Sequence, residues 1–135
     1  MQPHTRRKFL TTTAALTAGA ATQAMTTLHT MDKKQMVHHV FFWLKNPVST
    51  ADRDTLVEGL KTLAAIPEVQ QLQIGLPAGT EQREVVDASW QVSELMYFNS
   101  LSDQAAYQTH PAHLAFVKNY SHLWSKVVVY DMQLL

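Results

Sequence analysis

The chain has 135 residues, a one-domain length, and its apolar fraction of 46% is enough to build a core. Basic and acidic residues balance at 11 each, but Arg6, Arg7 and Lys8 place three of the basic ones at the start, where there is no acid. The rest of the chain is therefore mildly acidic and has no electrostatic reason to bind nucleic acid, and the absence of cysteine excludes disulfides, thiolate zinc sites, a catalytic thiol and a lipid-modified Cys.

Residues 1–30 read as an export signal. Thr5-Arg6-Arg7-Lys8-Phe9-Leu10 precedes an uncharged, Ala- and Thr-rich stretch to Ala24. This is the order of a basic n-region, a mild h-region and small residues suited to cleavage. The paired arginines followed by Phe-Leu fit a twin-arginine signal, giving a periplasmic or secreted protein. A basic tail or an internal start at Met31 or Met36 is the alternative, and would leave the protein cytoplasmic. The stretch is too short and too polar for a stable membrane span of ~20 apolar residues. Residues 31–35 read as a linker to a domain spanning 36–135.

Val37 to Leu44 is β-branched and aromatic, closed by Asn46-Pro47, and predicts a strand buried on both faces. Ser49-Thr50-Ala51-Asp52 starts a helix in the manner of a capping box, and Leu56, Leu60 and Leu63 form its apolar stripe. Pro67 stops it. Val69, Leu72, Ile74 and Leu76 predict a second strand, and Pro77-Ala78-Gly79-Thr80 a turn. Trp90, Val92, Glu94, Met96 and Phe98 alternate with Gln91, Ser93, Leu95 and Tyr97 as a half-buried third strand. Ser102-Asp103 begins a short helix through Tyr107. Pro111 opens the next, whose apolar residues include Leu114, Phe116, Val117, Tyr120, Leu123 and Trp124. Val127-Val128-Val129-Tyr130 begins a last strand.

The order β-α-β-β-α-β is the split βαβ, ferredoxin-like arrangement, an α+β fold with helices on one sheet face. The other face also needs cover, because Phe41, Trp43, Val127 and Val129 cannot all meet water. A second copy of the sheet is the simplest cover, so the expectation is a symmetric homodimer closed as an α+β barrel.

Three stretches carry a resemblance: the opening Val37-His38-His39-Val40-Phe41-Phe42-Trp43-Leu44-Lys45, the segment from Ser102 through Tyr107 to His110-Pro111-Ala112-His113, and the closing Val127-Val128-Val129-Tyr130-Asp131. Together they resemble the stress-responsive A/B barrel (Dabb) family across residues 36–135. The resemblance implies a dimeric ferredoxin-like barrel. It also implies kinship with plant polyketide cyclases, in which a Tyr and the second His of this motif do acid–base work between helix and sheet. Many bacterial members carry no assigned activity, so the fold is implied more firmly than the function.

His113 shares a helix face with Val117, Tyr120 and Trp124. In an apolar pocket its imidazole stays neutral and can serve as a general base. The Tyr107 hydroxyl can hold a carbonyl oxygen or an enolate. For both residues ordinary core packing is the simpler expectation. His38 and His39 point to opposite sides of their strand. The family match favours His39, in phase with Phe41 and Trp43, as partner to His113. Glu94 falls in the core phase of its strand, so it is either a functional carboxyl with a raised pKa or the mark of a bulge that turns it outward. The bulge is the simpler expectation.

His39, Phe41, Trp43, Val92, Glu94, Val117, Tyr120 and Trp124 are thus the candidate ligand lining, with His113 and Tyr107 as candidate catalytic residues. No metal or cofactor is expected, as the His and Glu candidates lack the short spacings of zinc sites, and no phosphate-cradling Gly-rich loop is present. Three functions fit: an exported barrel binding a small apolar or aromatic ligand, a cofactor-free cyclase or isomerase using His113 and Tyr107, or a purely structural dimer.

Overall fold

Alternation along the first apolar run makes strand β1 (Met36–Leu44). Its even residues Met36, His38, Val40, Phe42 and Leu44 are buried, while His39, Phe41 and Trp43 are only partly so. The computed structural model describes residues 34–135, so the predicted signal sequence and the first three residues of the linker lie outside the described residues. Helix α1 (Thr50–Lys61) is capped by Ser49, whose hydroxyl accepts from the Asp52 amide at 3.1 Å. Its stripe Leu56, Leu60 and Leu63 is fully buried, and a 3₁₀ turn (Thr62–Ala65) ends it two residues short of Pro67.

Strand β2 (Gln71–Gly75) is short, and β3 (Val92–Phe98) follows a long irregular connection. The predicted third strand began at Trp90, facing the core. Pairing begins instead at Val92, and the Trp90 ring lies 5.1 Å from Phe41, on the side away from the helices. Helix α2 (Leu101–Thr109) is capped by Ser100 rather than by Ser102-Asp103, and Ser100 accepts from the Asp103 amide at 3.1 Å. Helix α3 (Pro111–Tyr120) follows after one residue. A 3₁₀ turn leads into β4 (Trp124–Gln133).

The sheet order is β2-β3-β1-β4 with every neighbour antiparallel, the ferredoxin-like order predicted from the sequence. The core joins Val40, Phe42, Leu44, Val92, Met96 and Phe98 of the sheet to Leu56, Leu60, Tyr107 and Phe116 of the helices. The opposite face carries His39, Phe41, Trp43, Val128 and Tyr130, with Lys126 lying 4.4 Å over the Trp43 ring. Val127 and Val129, expected on that face, pair with Phe42 and Val40 and so belong to the helix side of the edge strand. Among the described residues no helix is long and apolar enough to cross a membrane.

Candidate functional site

The breaking of one helix into two builds the site. His110 ends α2 in extended conformation, and Pro111 cannot continue a helix that needs its N–H. The His110 ring then caps α3, its Nδ1 accepting from the Ala112 amide at 3.0 Å. Helix α3 starts in a new direction, which returns His113 over Tyr107 with the ring centres 4.5 Å apart. Tyr107 is 1% exposed and lies on the sheet against Phe98, 5.2 Å away, and His38, 5.9 Å away. One buried phenol therefore stands between two imidazoles.

Both imidazoles are fixed through Nδ1. His113 Nδ1 lies 3.0 Å from the carbonyl oxygen of Gln108. A carbonyl only accepts, so that nitrogen carries the proton and Nε2 keeps its lone pair in the neutral ring. His38 Nδ1 lies 2.6 Å from Asp131 Oδ1, and a carboxylate orients an imidazole in the same way. The His38 side chain is 6% exposed and that of Asp131 50%, so the pair runs from the core to the sheet edge.

Burial sets the protonation states. It lowers the pKa of His113; the bond to Gln108 raises it, and the charge of His38 lowers it further. Tyr107 is pushed up, first by burial and then by the negative charge of Glu94. Burial pushes Glu94 up to about 8. At neutral pH the site is therefore a neutral base, an un-ionised phenol and an un-ionised carboxylic acid.

The sequence-predicted residues divide into groups. Tyr107, His113 and Glu94 come together between the helices and the sheet, whereas Val92 lies on the same sheet face but farther along β3, opposite Phe42. His39 does not join them. It packs on Phe41 with ring centres 4.2 Å apart, on the opposite face, and the histidine beside Tyr107 is His38. The expected bulge at Glu94 is corrected too, since β1 and β3 pair without interruption from Met36–Phe98 to Phe42–Val92 and Glu94 is 2% exposed. Val117 was expected to face the sheet and is instead turned to solvent, 39% exposed. Trp124 is not on the last helix but opens β4; its ring stacks on Phe116, as does that of Tyr120. Phe41 and Trp43 line a small hollow of about 100 Å³ on the open sheet face with Asp87, Trp90 and Tyr130. Sequence reasoning missed Asp131; register is the signal that finds it, because His38 pairs with Asp131 across β1 and β4.

Solved structures share this fold. A dabb family protein with a ferredoxin-like fold from Mesorhizobium loti is 23% identical, the match covering 76% of this chain and 99% of that one with a TM-score of 0.62. A hydroxynitrile lyase from Passiflora edulis is 23% identical over 76% of this chain and 95% of that one, with a TM-score of 0.64. A dimeric ferredoxin-like protein of unknown function from Thermobifida fusca is 19% identical over 76% and 93%, with a TM-score of 0.61. No curated protein sequence matches the chain. The model of the stress responsive A/B barrel domain family matches residues 36–134, and with sheet order and sequence in agreement the chain belongs to that family.

Proposed function

We propose that the domain is a cofactor-free acid–base site for a small, largely apolar carbonyl compound, housed in a homodimeric barrel. The observation that carries this reading is the tethering of both histidines through Nδ1, which leaves His113 Nε2 as a neutral acceptor beside the Tyr107 ring. His113 takes a proton from carbon next to the carbonyl or from a hydroxyl, and the Tyr107 hydroxyl hydrogen-bonds the oxygen on which charge develops. Phe98, fully buried against the Tyr107 ring, and Met96, fully buried opposite His38, give the site apolar walls. That the fold houses a lyase in Passiflora edulis supports the reading.

The test is α-hydrogen exchange of phenylacetone in deuterated buffer, followed by NMR, together with cleavage of mandelonitrile. His113→Ala is expected to slow whichever reaction the protein accelerates by roughly 10²–10⁴-fold. Saturable binding of both compounds without acceleration would leave a ligand-binding barrel with no turnover. Absence of binding would leave a structural dimer.

Pairing is supported by the open sheet face and by neighbours from Thermobifida fusca and Bacteroides fragilis described as dimeric. Export by the twin-arginine route rests on Arg6-Arg7 and the mild apolar stretch after them. Replacing both arginines by lysine is expected to leave the protein in the cytoplasmic fraction. An unchanged distribution between fractions rules that route out.

A further inference from the structure

The acid–base reading leaves Glu94 unused. It stands on the central strand β3 between Val92 and Met96, both fully buried, and its Oε2 has no hydrogen-bond partner among the described residues. A valine or leucine there would fill the core without leaving a polar atom unpaired. Register sets the carboxyl on the same sheet face as His38: Val40 pairs with Glu94 and His38 with Met96, which makes Glu94 the diagonal neighbour of His38 at about 7–8 Å. It is also near enough to Tyr107 for its charge to oppose ionisation of the phenol.

Resting on the acid–base reading, we propose that Glu94 and Tyr107 form a two-donor oxyanion site, in which both hydrogen-bond one carbonyl oxygen of a neutral ketone or ester while His113 removes the neighbouring proton. The proton moves from the α-carbon to His113 Nε2. The C–H electron pair becomes the carbon–carbon double bond of the enolate, and the carbonyl π pair moves onto oxygen. Nothing is oxidised or reduced. Glu94 enters as the acid, so its O–H donates, an arrangement in which a carboxylic acid kept neutral by an apolar site stabilises an enolate. The ligand is taken to be neutral because no Lys or Arg is among the buried side chains of the described residues to receive a carboxylate.

Glu94→Val and Glu94→Gln distinguish this role from core filling. With phenylacetone, Glu94→Val is expected to lower kcat for α-exchange by roughly 10²–10³-fold with little change in KM. Glu94→Gln, which keeps a weaker donor, is expected to fall between that variant and the wild type. Infrared spectroscopy supplies a second readout. The wild type is expected to show a protonated carboxyl band, absent from Glu94→Gln, that moves to lower wavenumber when phenylacetone or 4-nitrophenol binds. If Glu94→Val keeps the wild-type kcat while His113→Ala loses it, the oxyanion role is overturned and the acid–base reading stands. If His113→Ala matches the wild type, both fall.

Discussion

A carboxyl enclosed by Val40, Val92, Met96 and Ile74 links folding to pH whether or not it meets a ligand. Its folded-state pKa of about 8 lies above its ordinary value of 4.5. Below the ordinary value both folded and unfolded chains hold the proton, and the group does not oppose folding. As pH rises between the two values the unfolded chain releases the proton and the folded chain does not, so stability is lost across that window and levels off above it. Glu94→Gln removes the dependence. The variant is expected to match the wild type in unfolding free energy, measured by urea titration, near pH 4 and to exceed it by roughly 3–5 kcal/mol near pH 8. Parallel pH profiles for the two proteins would show that Glu94 reaches solvent. The sequence already placed Glu94 in the core phase of its strand, and only the high cost of a buried acid argued for a bulge. The choice between His38 and His39 was less accessible. Both faces of β1 carry large apolar residues, so hydrophobicity cannot fix the phase, and the aromatic pair Phe41 and Trp43 draws the choice to the open face. Pairing with Asp131 and contact with Tyr107 decide it, and both lie far away in sequence.

The helix break at His110-Pro111 and the close approach of α3 to α1 position the base. Tyr120, the last residue of α3, lies flat over Gly59 of α1, and a Cβ at Gly59 would stand 2.8 Å from three of its ring atoms. That is inside contact distance, so Gly59→Ala must push the ring and the end of α3 outward. Alanine favours a helix over glycine by about 1 kcal/mol, whereas overpacking costs about 1–3 kcal/mol, so the balance is destabilising. The expected outcome is a lower melting temperature for Gly59→Ala and recovery in Gly59→Ala/Tyr120→Leu, checked by calorimetry. A single variant more stable than the wild type would show that α3 yields freely. Most element boundaries were readable from caps and breakers: Ser49 and Pro111 stand where their chemistry requires. The end of α3 was not. Leu123 and Trp124 continue the apolar run of the helix, yet the chain turns through Ser121–Leu123 and gives Trp124 to β4, because the edge strand competes for the same apolar residues. That early end also explains Val117. With the helix ten residues long, Phe116 and Tyr120 take the buried side and Val117 falls outside it.

At the scale of the whole molecule the question is what lies against the second face of the sheet. Four strands about 4.8 Å apart and about seven residues long offer a plane of roughly 450 Å² before side-chain relief is added. Stable pairs bury on the order of 800 Å² per partner, so one sheet face with its relief is of the right scale. Its aromatic content is that of an interface centre: Phe41 meets Trp90 and Tyr130 edge to face, and Tyr130 is 64% exposed in the single protomer. The ferredoxin-like order was legible because alternation, caps and breakers gave the type and succession of every element even where a boundary moved by a few residues. Which side chains gather on each face depends on register, which no local pattern specifies when both faces are apolar. Tyr130 separates pairing from folding, since its side chain is largely free of its own core. Tyr130→Glu sets a charge on the apolar face that would meet the second copy. Sedimentation equilibrium is expected to give twice the protomer mass for the wild type and the protomer mass for Tyr130→Glu, with circular dichroism unchanged between them. A wild type that sediments as a monomer at micromolar concentration would leave the aromatic face open to water, and the barrel would have to be abandoned.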